Sequence, residues 1–123
     1  CRDTTLSKEH NRRELMKDST DLQLSHEMFY EDVCYFDKVV SRQVELLNSE
    51  NIGVRVDYPD FTSLGVWQAK DAPFLCIEPW CGSADFDDCS GVFAEKRGIE
   101  ILAPGAEKTF TYAITAVEHK AKV

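Results

Sequence analysis

The usual markers of a specialised setting are missing from this chain of 123 residues. No apolar run approaches the roughly 18 residues that a membrane-spanning helix needs. No stretch has the charged, apolar and small-residue order of a secretory signal. There is no Lys/Arg-rich tract, and 22 acidic residues outweigh 14 basic ones, for a formal charge of -8. That balance repels phosphate backbones, so no nucleic acid partner is expected, and no membrane partner either. Internal repeats and low-complexity segments are also absent.

Cysteine is present, but without a framework. Cys1, Cys34, Cys76, Cys81 and Cys89 are odd in number and share no even spacing, which argues against paired disulfides. Reduced, mostly buried thiols in a cytoplasmic protein are the expectation. Cys76, Cys81 and Cys89 form no CxxC pair, and no nearby histidine completes a tetrahedron, so zinc is not expected. Asp85, Asp87 and Asp88 lack the glycine and the bidentate glutamate of a calcium loop and read as a solvated acidic loop.

What the chain does have is short apolar runs. Hydrophobic residues make up 43% and aromatics 11%, enough for a folded domain. Residues 1–20 are polar; Ser7 is placed to cap a short helix over 9–17 that carries little apolar surface. Ser25 is placed to cap a single turn over 25–30, and 33–36 reads as a strand. Residues 40–47 and 54–58 flank a turn-rich segment, 48–53, and predict a hairpin. Within it Val54, Val56 and Tyr58 alternate with Arg55 and Asp57, giving one buried and one wet face. Pro59 ends that strand. Further strands are expected at 64–67, at 74–77 with both faces covered, at 99–102, and over 109–117, where Phe110, Tyr112 and Ile114 share a face. The tail from residue 118 is expected to fray. Five to seven short strands at such spacing predict an all-β fold, an antiparallel sheet or antiparallel β-sandwich, in one domain or a piece of one.

Glu78 is the residue best placed for chemistry. It follows four apolar residues at a strand end, where a carboxylate is costly unless it is paired or faces a cavity. A carboxyl partly withdrawn from water is a better proton acceptor near neutral pH than an exposed one. Trp80 supplies a flat apolar face of the kind sugars stack on, and Trp67 is a second candidate wall. The plain alternatives are a strand-end glutamate paired with a cation and two core indoles. Asp32 precedes a strand and, taken alone, reads as a solvated or capping carboxylate. His26 sits in a turn and reads as structural, although imidazole titrates near neutrality. His10 and His119 read as surface.

The order of these motifs resembles the C-terminal region of the galactose mutarotase-related aldose 1-epimerases. The run Pro73-Phe74-Leu75-Cys76-Ile77-Glu78-Pro79-Trp80-Cys81-Gly82 carries most of the likeness. Ala84-Asp85, Lys96-Arg97-Gly98-Ile99 and Leu102-Ala103-Pro104-Gly105 follow it in order. Upstream, Leu24-Ser25-His26-Glu27-Met28-Phe29, Asp32, Cys34-Tyr35-Phe36 and Ser41-Arg42 fit the same branch. The resemblance spans about residues 20–117.

The resemblance implies a large antiparallel supersandwich of which this chain is part. It implies that an N-terminal half precedes Cys1, a residue that is not Met, or is supplied by a second chain. That half would carry the acid histidine and a sugar-binding arginine and histidine; His26 does not match that motif. Residue by residue, Glu78 matches the family's general base, and Asp32 falls where a sugar-hydroxyl ligand would lie. Trp67 and Trp80 are candidate pocket walls, while Cys81 stands where an aromatic residue is expected. The implied reaction interconverts the α and β anomers of a hexose or hexose phosphate with no cofactor and no metal. The alternatives are a carbohydrate-binding β-sandwich without turnover and a plain interaction domain.

Overall fold

The computed structural model describes residues 6–7, 15, 19–86 and 88–120. Among the described residues helix is confined to two 3-10 turns, His26–Phe29 and Phe93–Glu95. The strands are β1 (Leu6–Ser7), β2 (Cys34–Phe36), β3 (Gln43–Leu47), β4 (Ile52–Asp57), β5 (Ser63–Trp67), β6 (Cys76–Trp80), β7 (Asp85–Phe86) and β8 (Ala113–Glu118). They form two antiparallel three-stranded sheets, in the orders β2-β5-β6 and β3-β4-β8, and a short parallel pair, β1-β7. The protein is all-β, with the plan of a small sandwich.

The hairpin β3–β4 forms because Asn48 organises its turn. Its Oδ1 accepts the backbone N–H groups of Glu50 and Ile52, and Asn51 takes a positive φ of 61°. An asparagine side chain substitutes here for backbone partners that a tight turn cannot supply. Gly53 is required beside it, since a Cβ there would run into the carbonyl of Leu46.

Alternation then decides which faces meet. In the first sheet Cys34, Val66 and Ile77 stand in one cross-strand row, and Phe36, Leu64 and Pro79 in the next. Cys34, Leu64 and Val66 are buried and join Val56, Tyr58 and Phe29 in one core. Tyr58, 1% exposed, is its most buried large side chain. The second sheet offers Val56, Val44 and Ile114 in register on its core-side face. Burial fades along that row, however: Val56 is 5% exposed and Ile114 65%.

Several sequence expectations need correction. The segment 99–102 is not a strand; Ile101 and Leu102 are exposed. A short run with three apolar residues needs a partner edge to become a strand, and none of the described strands pairs with it. The last strand starts at Ala113, not at 109, because its partner β4 ends at Asp57. Beyond that point Pro59 has no N–H to give, and the N–H of Thr111 bonds instead to the Asp60 carboxylate at 2.8 Å. The tail is anchored further than expected: Glu118 pairs with Ile52, and the His119 N–H bonds to the Asn51 carbonyl at 3.0 Å.

The expected strand at 74–77 is shifted. It begins at Cys76 and runs through Glu78 and Pro79 to Trp80. Phe74 is half-exposed, so the run is not covered on both faces. Proline is tolerated because β6 is an edge strand, where a missing N–H costs no ladder bond if it faces outward. Ser25 does precede a single turn, but without a side-chain capping bond. Ser7 lies in β1, paired with Phe86, rather than at a helix start. The expected helix over 9–17 falls almost wholly outside the described residues.

Candidate functional site

Strand period places the candidate residues on one face. Tyr35, Gly65 and Glu78 are register partners across the first sheet. Ser63 pairs with Trp80, and Trp67 with Cys76, on either side of that row. Side chains two apart on a strand share a face, so Ser63, Gly65, Trp67, Cys76, Glu78, Trp80 and Tyr35 all project away from Leu64 and Val66. The candidate face is therefore the sheet's outer one.

Glu78 sits at its centre and is only partly buried. The indole N–H of Trp67 donates to Oε1 at 2.6 Å, and that of Trp80 donates to Oε2 at 3.1 Å. Each carboxylate oxygen thus takes one neutral donor. The Trp67 contact is diagonal across the ladder, and the Trp80 contact runs along the strand to the next same-face residue; both are reachable for long side chains. Among the described residues no ion pair involves Glu78. A carboxylate offers about four lone-pair sites, so roughly half remain free for a ligand.

Aromatic rings frame the carboxylate. Trp80 lies across Gly65, with Cε2 and Cζ2 each 3.0 Å from where a Cβ would stand. The Tyr35 ring packs on Trp80 at 5.4 Å between centroids, and Phe74 meets Trp67 edge-on at 6.1 Å. The Tyr35 hydroxyl bonds to Ser63 Oγ at 3.1 Å. Burial pushes the Tyr35 phenol up, opposed by its hydrogen bonds to Ser63 and Ser83 and assisted by the nearby Asp37. It remains a neutral hydroxyl through the physiological range.

A shallow recess of about 320 Å³ opens beside this face, lined by Pro79, Trp80, Cys81, Gly82 and Ser83. It lies at the low end of the roughly 300–1,000 Å³ usual for ligand pockets. Glu78 does not line it; Trp80 is the residue common to recess and carboxylate. Burial raises the Cys81 thiol, helped by Glu100 and opposed by Lys108, which keeps it protonated at the rim. A second hollow of about 330 Å³ lies in the loop around Phe86, Lys96 and Arg97, away from Glu78.

Of the residues singled out from sequence, Glu78, Trp67 and Trp80 come together. Asp32 does not join them. It precedes β2, and its Oδ1 accepts the neighbouring Val33 N–H at 2.7 Å, a local capping contact. His26 is hydrogen-bonded to Gln68, and His119 to Glu45 at 2.8 Å. Among the described residues no group of three His, Cys, Asp or Glu side chains is placed to hold a metal ion. No helix there is long and apolar enough to cross a membrane.

Gly65, Tyr35 and Ser63 were not evident from sequence as members of this site. Gly65 carried the one usable signal, since a lone glycine inside a strand pattern marks close approach of another group. Comparison with protein families, curated proteins and solved structures gives no match to this chain.

Proposed function

We propose that this chain carries the base half of an aldose 1-epimerase-like site, with Glu78 taking the proton from the anomeric hydroxyl of a hexose. The observation that supports this best is a carboxylate fixed by two indole donors, without a cation, on an aromatic face. A base must keep lone pairs free and aimed, and two neutral donors orient the group while leaving half of its acceptor capacity open. Tyr35 adds a half-buried hydroxyl, bonded to the buried Ser63, and Trp80 offers a ring to the adjoining recess.

In this reaction the carboxylate accepts the proton of the O1 hydroxyl as the bond from C1 to the ring oxygen opens. An acid protonates that oxygen. Rotation about C1–C2 and reversal of the two transfers close the ring as the other anomer. Each transfer contributes about 10²–10⁴-fold. His26 and His119 are hydrogen-bonded to Gln68 and Glu45, and, as the resemblance implies, the acid is taken to come from a group outside this chain. The chain alone is therefore expected to show little or no mutarotase activity by polarimetry, and normal turnover would refute that division of labour.

A second reading is a carbohydrate-binding sandwich without turnover. It is favoured by the hydrogen bonds that Glu78 accepts among the described residues, which come from two indoles and from no acid. Titration with an aldohexose, followed by tryptophan fluorescence, tests both readings. Saturable binding that survives in Glu78→Gln is expected from each. Absence of any saturable change would remove both.

A further inference from the structure

The two indoles of this chain look like sugar platforms in the sequence, yet each spends its only polar group on Glu78. We infer that Trp67 and Trp80 are positioning residues for the Glu78 carboxylate, and that Gly65 is the vacancy that lets Trp80 take up its half of the task. This rests on the proposed role of Glu78 as a base.

Three observations carry it. First, the donors are shared out one to each oxygen, Trp67 to Oε1 and Trp80 to Oε2, which fixes both the position and the rotation of the carboxylate plane. A single donor would leave the group free to turn about its last torsion, which is broad for a glutamate. Second, the donors come from different strands, β5 and β6, so the carboxylate is held across the ladder as well as along it. Third, the Trp80 ring lies over residue 65, the register partner of Glu78, where it donates to that carboxylate. Its Cε2 and Cζ2 atoms fill the space a Cβ would need there, and Tyr35 packs against the same ring. Indole donates and cannot accept, so neither tryptophan can compete with Glu78 for a substrate proton.

The chain contains two tryptophans, so a ¹⁵N-labelled sample gives two indole N–H signals, and both report on the carboxylate. The two signals are expected to move together, with one shared midpoint, as Glu78 takes up its proton. In Glu78→Gln that pH response should be lost from both. Trp80→Phe removes one donor while keeping a ring, and Trp67→Phe does the same at the other oxygen. In each, the surviving indole should still titrate with Glu78. Gly65→Ala should abolish the response at Trp80 and spare it at Trp67. Circular dichroism establishes that each variant is folded.

Indole signals that ignore both pH and Glu78→Gln overturn the bracket. Addition of an aldohexose then separates the two claims. A bracket that titrates and also shifts with hexose supports positioning for catalysis. A bracket that titrates but ignores hexose removes the proposed function, and with it the catalytic purpose assigned to the tryptophans.

Discussion

Replacing Gly65 by alanine puts the packing of the candidate site to a quantitative test. The added Cβ would stand 3.0 Å from Cε2 and Cζ2 of Trp80 and 3.4 Å from its Nε1. Carbon atoms rest at about 3.5–4.0 Å, so the ring must give by a few tenths of an ångström. The Trp80–Glu78 bond is already 3.1 Å long, near the outer end of the usual N–H···O range, and has no slack to follow. A hydrogen bond to a charged group contributes about 1.5–3 kcal/mol, and the lower figure suits a partly exposed site. Overpacking adds its own cost, typically about 1–3 kcal/mol, which a ring at an open face can partly relieve. A net loss of about 2 kcal/mol is expected, or a fall in Tm of about 8 °C for a chain of this length. Thermal unfolding by circular dichroism measures it. The same substitution in a Trp80→Phe background should cost less, because phenylalanine lacks the outer ring atoms that collide. The difference is a coupling energy of about 1 kcal/mol or more, within the range for residues in contact. An equal cost in both backgrounds, or no cost in either, would refute the steric argument.

Three other outcomes follow from the same packing. Leu64→Ala opens a cavity at a buried residue of the first sheet, and urea titration should give a loss of about 2–5 kcal/mol. Gly53→Ala, which drives a Cβ into the Leu46 carbonyl, should loosen the β3–β4 hairpin, read as faster amide exchange at Val44 and Val56. Tyr30 donates to Asp71 at 2.6 Å, and that bond, with desolvation and the Asp71 charge, pushes its phenol up to about 12. Burial raises Tyr58 in the same direction. These shifts favour the folded state fully below the ordinary phenol value of about 10, and the contribution is lost as pH climbs from there through the folded values. Denaturant midpoints should therefore fall in strong alkali, and Asp71→Asn should bring the Tyr30 phenolate absorbance change back toward its ordinary pH.

The fold was legible where local chemistry and period agreed. Asn48 and Gly53 announce the β3–β4 turn, and the alternation of Val54, Val56 and Tyr58 identifies the buried face. It was illegible where a strand depends on its partner. Residues 99–102 have strand composition but pair with none of the described strands, and 109–112 lose their partner when Pro59 ends β4. The candidate site depends on its strands in the same way. Glu78 and Trp80 share a face because β6 runs through Pro79 to Trp80, past the strand end that the sequence suggested at 77. Trp67 reaches Glu78 only through the β5–β6 register, in which it lies opposite Cys76, and no local pattern sets that register. Asp32 was placed by resemblance; its carboxylate accepts the N–H of the residue that follows it.

The most direct test of Glu78 as a hexose base supplies the acid from solution. A freshly dissolved α-aldohexose is followed by polarimetry in imidazole buffer, whose imidazolium can protonate the ring oxygen. The expected result is a rate that rises with imidazolium concentration above the buffer's own, and that falls back to the buffer rate in Glu78→Gln. Identical rates with the wild-type chain, with Glu78→Gln and with buffer alone, in a sample whose indole signals show an intact bracket, would contradict the assignment.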